Sequence, residues 1–164
     1  MALESRRRYQ LLIENLKGYQ RVGVAFSGGV DSTLLLYAAC EALGRQNVLV
    51  LRGLSALLSA TEKGAGSMLL DHLQIEPERL LEVELQPLDW PEFVINDGAR
   101  CYVCKKRMYQ HFLTVLEGKN ISVLLDGSNV DDLKNHRPGS RAIEELGVKT
   151  PLLDAGLTKK DIRT

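Results

Sequence analysis

Apolar positions change their spacing several times along the chain, and each change marks an element. Residues 4–17 put Leu11, Leu12 and Leu16 on one helical face, with arginines and glutamates on the others. That spacing predicts a surface helix ending at Gly18. Residues 22–26 are apolar and β-rich and predict a first strand. Leu34, Leu35, Ala38, Ala39 and Leu43 then recur at helical spacing, which predicts a core helix over 31–43 closed by Gly44. Residues 47–51 form a continuous apolar run, as in a parallel strand buried on both faces. Residues 52–66 mix small residues and leucines without a clean period, so a loop is predicted there, then a helix to about Leu73. Residues 80–85 alternate as a third strand does. Pro87, Pro91 and Gly98 predict a loop over 87–98 with one helical turn. A helix is predicted over 101–116 and a fourth strand over 121–126, followed by a turn at Gly127-Ser128-Asn129. Arg137-Pro138-Gly139 predicts a break, 140–146 a short helix stopped by Gly147, and 150–152 an extended stretch; Thr158 caps a last helix over 159–163. Strands alternating with helices predict an α/β fold, a doubly wound parallel sheet in three α/β/α layers, as a single domain over 1–164.

Composition narrows this only a little. The chain has 164 residues, 45% of them hydrophobic, enough for a real core. Acidic and basic residues balance at 21 each, which argues against broad non-specific binding of nucleic acid. No apolar stretch approaches a membrane span, and Arg6-Arg7-Arg8 sit in an amphipathic pattern without the apolar core of a signal peptide. A cytoplasmic location is expected. In that compartment three cysteines suggest thiols, a metal or catalysis rather than disulfides. Cys40 falls on the apolar side of its helix and reads as a small core residue.

Candidate chemistry concentrates where the first strand meets its helix, at Ser27-Gly28-Gly29-Val30-Asp31-Ser32. A strand–glycine turn–helix junction aims backbone N–H groups and the positive end of a helix at one spot, which makes an anion site. Gly28 and Gly29 lack Cβ atoms, so a phosphate can come close to the backbone. Ser27, Ser32 and Thr33 add hydroxyls, and Asp31 puts a carboxylate in the first helical turn, where it is able to hold Mg²⁺. The P-loop lysine and the G-x-G-x-x-G spacing are both absent. The plain alternative is a Gly/Ser turn with Ser27 or Asp31 as helix cap.

Two further motifs follow. Asp126-Gly127-Ser128-Asn129-Val130-Asp131-Asp132 leaves a buried strand, so Gly127, Ser128 and Asn129 belong in the same crevice as the first loop, beyond the carboxyl ends of the strands. Asp131 and Asp132 offer carboxylates for Mg²⁺ or a ribose; the alternative is an Asx-type turn. Arg100-Cys101-Tyr102-Val103-Cys104-Lys105 is a C-x-x-C at a helix start, where the dipole with Arg100, Lys105 and Lys106 is expected to lower a thiol pKa. Cys101 and Cys104 are candidate metal ligands, as a dithiol, half of a zinc site or part of an iron–sulfur cluster, with half-packed structural cysteines as the alternative. Trp90 and Tyr102 are candidates for stacking on a ring, or core and rim packing. Arg137 and Lys159 are candidate phosphate partners, or solvated charges.

In order, S-G-G-V-D-S-T at 27–33, R-C-Y-V-C-K-K at 100–106, D-G-S-N-V-D-D at 126–132, R-P-G-S-R-A-I-E-E-L-G-V-K-T-P-L at 137–152 and A-G-L-T-K-K-D-I-R at 155–163 resemble one family. The first string resembles the pyrophosphate loop of the N-type ATP pyrophosphatases. The ordered set resembles the LarE family, ATP-dependent sacrificial sulfur transferases that mature the nickel-pincer nucleotide cofactor of lactate racemase. The resemblance implies a Rossmann-like adenine-nucleotide (HUP) fold. It implies ATP and Mg²⁺ held by Ser27, Gly28, Gly29, Asp31 and Ser32, with Asp31 and Ser32 as the catalytic pair and Gly127, Ser128 and Asn129 lining the nucleotide. It implies adenylation of a pyridinium dicarboxylate nucleotide with release of pyrophosphate, then sulfur transfer. The C-x-x-C matches members in which a [4Fe–4S] cluster carries sulfur. A small-molecule nucleotide substrate is expected, together with a homo-oligomer. Family members continue for about a hundred residues further, within the ordinary range of a domain, so this chain is expected to be the N-terminal nucleotide portion. The alternatives are another AMP-forming enzyme of the same superfamily, such as an amide ligase or a tRNA-thiolating enzyme, or an ATP-binding module without turnover.

Overall fold

The computed structural model describes residues 3–55, 57–95, 98–134 and 138–164. Four parallel strands, β1 (Val22–Ala25), β2 (Val48–Ser55), β3 (Leu80–Leu85) and β4 (Leu124–Leu125), lie in the order β3-β2-β1-β4. The strands read as apolar runs because both faces of the sheet are covered. β1 is buried at all its positions, and it pairs with β2 from Val22↔Val48 to Ala25↔Leu51 and with β4 at Gly23↔Leu124 and Val24↔Leu125.

The described helices are α1 (Leu3–Leu16), α2 (Val30–Leu43), α3 (Ala60–His72), α4 (Pro91–Ile95), α5 (Arg100–Gly118), α6 (Pro138–Glu145), α7 (Pro151–Asp154) and α8 (Lys159–Ile162). Successive strand side chains point to opposite faces, and two separate cores result. On one face Val22, Val24, Val48 and Val50 meet Leu12, Leu16, Leu35, Leu36 and Leu70 of α1, α2 and α3. On the other Ala25, Leu49, Leu51 and Leu124 meet Tyr109, Phe112 and Leu116 of α5 and Ile143 of α6. The molecule is therefore the expected doubly wound α/β/α sandwich. The chain runs outward from β1 to β3, and α5 then carries it back across the sheet to β4. The strand order thus reverses between β1 and β4, where open parallel sheets form a ligand crevice.

Several local expectations are corrected. Residues 52–55 continue β2 instead of starting a loop, and α3 begins at Ala60. Arg52 interrupts the apolar run yet is buried, its guanidinium donating to Ser67 Oγ (3.0 Å), Glu82 Oε1 (3.2 Å) and the Lys63 carbonyl (2.5 Å). β4 keeps only two residues of the predicted six, its neighbour Asp126 bonding through its N–H to the Lys149 carbonyl at 2.8 Å. Pro138 opens α6 rather than breaking the chain, and Pro151 opens a helical turn in the stretch expected to be extended. Both follow from proline's fixed φ and missing N–H, which suit the first position of a helix.

Candidate functional site

The loop between β1 and α2 is held by its own hydroxyls. Ser27 Oγ and Ser32 Oγ are 3.0 Å apart, Ser32 Oγ donates to the Gly29 carbonyl at 3.1 Å, and Thr33 Oγ1 donates to the same carbonyl at 2.8 Å. Gly28 stands at φ +80°, a conformation that strains any side chain. No side chain makes a capping hydrogen bond at Gly29, the N-cap of α2, so the role of cap falls neither to Ser27 nor to Asp31. The first amides of this 14-residue helix and its positive dipole end face the crevice without a side-chain oxygen of their own.

Asp31 lies in the first turn of α2. Its Oδ2 accepts from Lys159 Nζ at 2.5 Å, while its buried Oδ1 accepts no hydrogen bond. One saturated and one orphaned carboxylate oxygen at the mouth of an anion-seeking loop fit a divalent cation. The candidate phosphate partner Lys159 is therefore brought to the loop, through Asp31. Arg137 lies outside the described residues.

The turn after β4 reaches the same place. A Cβ on Gly127 would lie 3.0 Å from the Ser32 nitrogen and 3.2 Å from the Asp31 carbonyl carbon, so the two motifs meet backbone against backbone and any side chain there would have to push the start of α2 aside by a few tenths of an ångström. Asn129 is fully buried; its Oδ1 accepts from the Asp131 N–H at 3.0 Å and its Nδ2 has no partner. Asp131 and Asp132 serve the backbone: Asp131 Oδ2 accepts from the Lys159 N–H at 2.8 Å, and Asp132 Oδ2 from the Asn129 N–H at 3.0 Å. The Asx-type turns of this segment belong instead to Asp126 and Asn129, whose side-chain oxygens accept from the N–H groups of Ser128 and Asp131, two residues on.

Beyond the turn lies a cavity of about 620 Å³ bordered by Cys101, Lys105, Ser128 and Asn129. Lys105 and Ser128 on its wall belong to a cluster the sequence did not single out. Asp126 is nearly buried, and it accepts from the Tyr109 hydroxyl, from Ser128 N (2.8 Å) and the Ser128 hydroxyl, and from Lys105 Nζ (3.0 Å). Burial alone would raise the Asp126 pKa; the Lys105 charge and these hydrogen bonds outweigh it, and the carboxyl is held below its usual range. Burial, with the Asp126 charge, pushes the Tyr109 hydroxyl well up, so it stays a donor. A signal was present: Lys105 stands four residues after Cys101 on a helix, hence on the same face.

The C-x-x-C does not behave as expected. Burial raises the Cys104 thiol, and the neighbouring Cys101 adds in the same direction. The cations expected to lower it are committed elsewhere: Lys105 to Asp126, Lys106 to Glu145 at 2.8 Å, and Arg100 to the Phe93 carbonyl at 2.9 Å. Among the described residues no group of three or more His, Cys, Asp or Glu side chains is placed to hold a metal, so the two thiols by themselves do not fit a [4Fe–4S] cluster. Tyr102 donates to Glu145 Oε2 at 2.7 Å, and Trp90 packs edge-on to Phe93, so both aromatics serve packing between helices. Among the described residues no helix is long and apolar enough to cross a membrane.

Fold and loops together define the class: a Rossmann-like fold of the adenine-nucleotide (HUP) type with a glycine-rich loop between its first strand and the helix that follows. NMN synthetase from Francisella tularensis superposes with a TM-score of 0.65 at 16% identity, over 96% of this chain and 67% of that one. In sequence the chain resembles the LarE family. It is 33% identical over 152 residues to the pyridinium-3,5-bisthiocarboxylic acid mononucleotide synthase of Lactiplantibacillus plantarum, covering 93% of this chain and 54% of the relative. An uncharacterised protein of Synechocystis is 30% identical over 155 residues, 92% of this chain and 56% of its own. The chain spans about half the length of the curated relatives it matches. No protein-family model matches it.

Proposed function

We propose that the 164 residues act as one ATP-binding domain that activates a carboxylate as its adenylate. The observation that carries this reading is the backbone contact of Gly127 with Asp31 and Ser32, which joins two strand-end loops into one crevice at the reversal of strand order. In this reading Ser27, Gly28, Gly29, Ser32 and Thr33 receive the β- and γ-phosphates, and Gly127, Ser128 and Asn129 line the nucleotide near its α-phosphate. Asp31 holds Mg²⁺, which when bound neutralises the charge of the leaving pyrophosphate. Lys159, freed from Asp31 by the incoming cation, turns to a phosphate.

The reaction asks little covalent help of the protein. A carboxylate oxygen attacks the α-phosphorus, the α–β anhydride bond breaks, and pyrophosphate leaves with the charge. The acceptor carboxylate is already ionised at neutral pH, so no general base is required. Catalysis then rests on positioning and on amide and ammonium donors aimed at the leaving group. The acceptor that the resemblance to the L. plantarum synthase favours is a pyridinium dicarboxylate nucleotide. The acyl-adenylate is the species a sulfur donor would attack, releasing AMP and leaving a thiocarboxylate. No residue of this chain is assigned as that donor, and no step is assigned to a [4Fe–4S] cluster on Cys101 and Cys104.

The test is pyrophosphate release from ATP and Mg²⁺ with and without the pyridinium dicarboxylate nucleotide. Release that requires this acceptor supports the reading. Release with an amide-forming or tRNA acceptor favours another AMP-forming enzyme of the superfamily, and ATP binding without release under any acceptor reduces the chain to a binding module.

A further inference from the structure

Arg52 of β2 is the buried cation of the sheet, and its partners lie mostly on α3. Its guanidinium donates to Ser67 Oγ and the Lys63 carbonyl of that helix, and to Glu82 Oε1 of β3. Ser67 Oγ donates to the same Lys63 carbonyl at 3.1 Å, so guanidinium, hydroxyl and carbonyl close a ring on one face of α3. Burying a guanidinium is costly unless its donors are met, and here α3 supplies two of the three acceptors.

Gly66 lies between this guanidinium and the first loop. A Cβ on Gly66 would stand 2.5 Å from Arg52 Nη2 and 2.9 Å from its Cζ, so the guanidinium rests directly on α3 at that residue. A Cβ on Gly28 would stand 3.3 Å from Gly66 Cα, so the loop rests on α3 at the same residue. Glycine is unfavourable inside a helix, and Gly66 is buried; close approach by two neighbours accounts for it. Arg52, Gly66 and Gly28 thus form a stack that runs from the second strand to the loop after the first. The Ser27, Ser32 and Thr33 hydroxyls fasten the Gly29 side of that loop. Gly28, at φ +80°, is backed by α3, and its backbone angles set the directions of the amides on either side of it.

We infer that Arg52 is a positioning residue for the polyphosphate. Through its three acceptors it fixes the height of α3, and through Gly66 the helix fixes Gly28 and the amides that meet the phosphates. Arg52 itself touches no ligand in this role. The inference rests on the ATP reading for what the loop receives, whereas the placement of the loop is read without nucleotide.

The experiment compares the wild type with Arg52→Met, Gly66→Ala and the double variant. Mg-pyrophosphate probes the loop, and adenosine probes the rest of the crevice. Folded Arg52→Met is expected to bind Mg-pyrophosphate about tenfold more weakly and adenosine as before, a split that a general loss of structure does not produce. Gly66→Ala presses a methyl group on a guanidinium that three acceptors pin, and it is expected to weaken Mg-pyrophosphate in the same direction. The double variant is expected to be no weaker than Arg52→Met alone, because both changes act on one contact. Without ligand, the NMR amide signals of Gly28 and Gly29 are expected to shift in Arg52→Met while that of Gly147, outside the stack, stays. Unmoved Gly28 and Gly29 signals, an unchanged pyrophosphate affinity, equal losses for both probes, or additive losses in the double variant overturn the inference. If Arg52→Met does not fold, an unchanged pyrophosphate affinity in Gly66→Ala overturns it. A wild type that binds neither Mg-pyrophosphate nor Mg-ATP overturns the ATP reading, and the amide signals alone then judge the placement.

Discussion

Asp31 carries two unlike oxygens, one closed by the Lys159 ammonium and one buried and unpaired. An acid at the first turn of α2 is favoured by the helix dipole, yet it stands where a polyphosphate would be repelled unless a cation intervenes. Asp31→Asn removes both the cation ligand and the lysine's partner. Its expected effect is a loss of about tenfold or more in Mg-dependent ATP affinity with little change in melting temperature, read by calorimetry beside a thermal melt. The two C-x-x-C thiols differ just as plainly. Cys101 is exposed and Cys104 is half-buried with its thiol pushed up by burial. Because the thiolate is the nucleophile, iodoacetamide at neutral pH is expected to label Cys101 first, with Cys104 following only as the pH rises; peptide mass spectrometry reads the order.

At the scale of elements, the arrangement depends on helices being held at a set height over the sheet. Arg52 does this for α3, reaching from β2 to Ser67 and the Lys63 carbonyl, with its guanidinium 2.5 Å from where a Cβ on Gly66 would lie. Arg52→Met is expected to cost about 2 kcal/mol through the lost hydrogen bonds, which is about 4–8 °C in Tm for a chain of this size. Gly127→Val drives a side chain into the backbone of Asp31 and Ser32, and it is expected to abolish ATP binding in whatever fraction still folds. The elements that carry the loops were legible because their patterns are local. The continuous apolar run of β1, the glycine pair and the 3.6 spacing of α2 all lie within 22 residues, Val22 to Leu43. The extension of β2 was not legible, because a buried arginine breaks an apolar pattern and only its distant partners explain it. The start of α3 was hidden by two glycines, although its capping box, Ser59 with Glu62, was there to be read. The Lys159–Asp31 pair spans 128 positions and the Asp126 cluster draws on α5 and β4, so both exist only once the topology is known.

For the molecule as a whole, the last helix is clamped from two sides. Asp161 accepts from Ser5 Oγ at 2.5 Å and from Arg8 Nη1 at 2.8 Å, tying α8 to α1, while Lys159 ties it to α2. The Ser5 and Thr158 hydroxyls, the Thr158 amide and the Arg8 guanidinium hold the Asp161 carboxyl well below the ordinary aspartate value. Hydrogen bonds from Lys106, Tyr102 and Arg141 bring Glu145 down to about 2 in the same way. The sign follows directly. A carboxyl whose folded pKa is depressed binds fewer protons folded than unfolded, so its stabilisation is complete above the unfolded value and is lost as the pH falls through the folded one. Thermal melts from neutral pH downward are expected to hold level until about pH 4 and then fall steadily. Asp161→Asn is expected to start lower and to show a shallower acid decline.

The central claim is that the amides of the first loop, with Asp31 and its cation, grip the polyphosphate of ATP. Calorimetric titration of ATP into the protein with Mg²⁺ and with EDTA tests it most directly, using the wild type and Gly28→Val, which forces a branched side chain into a backbone at φ +80°. The account predicts Mg-dependent binding that the folded variant loses. Affinity that ignores Mg²⁺, or that survives unchanged in a folded Gly28→Val, would contradict it.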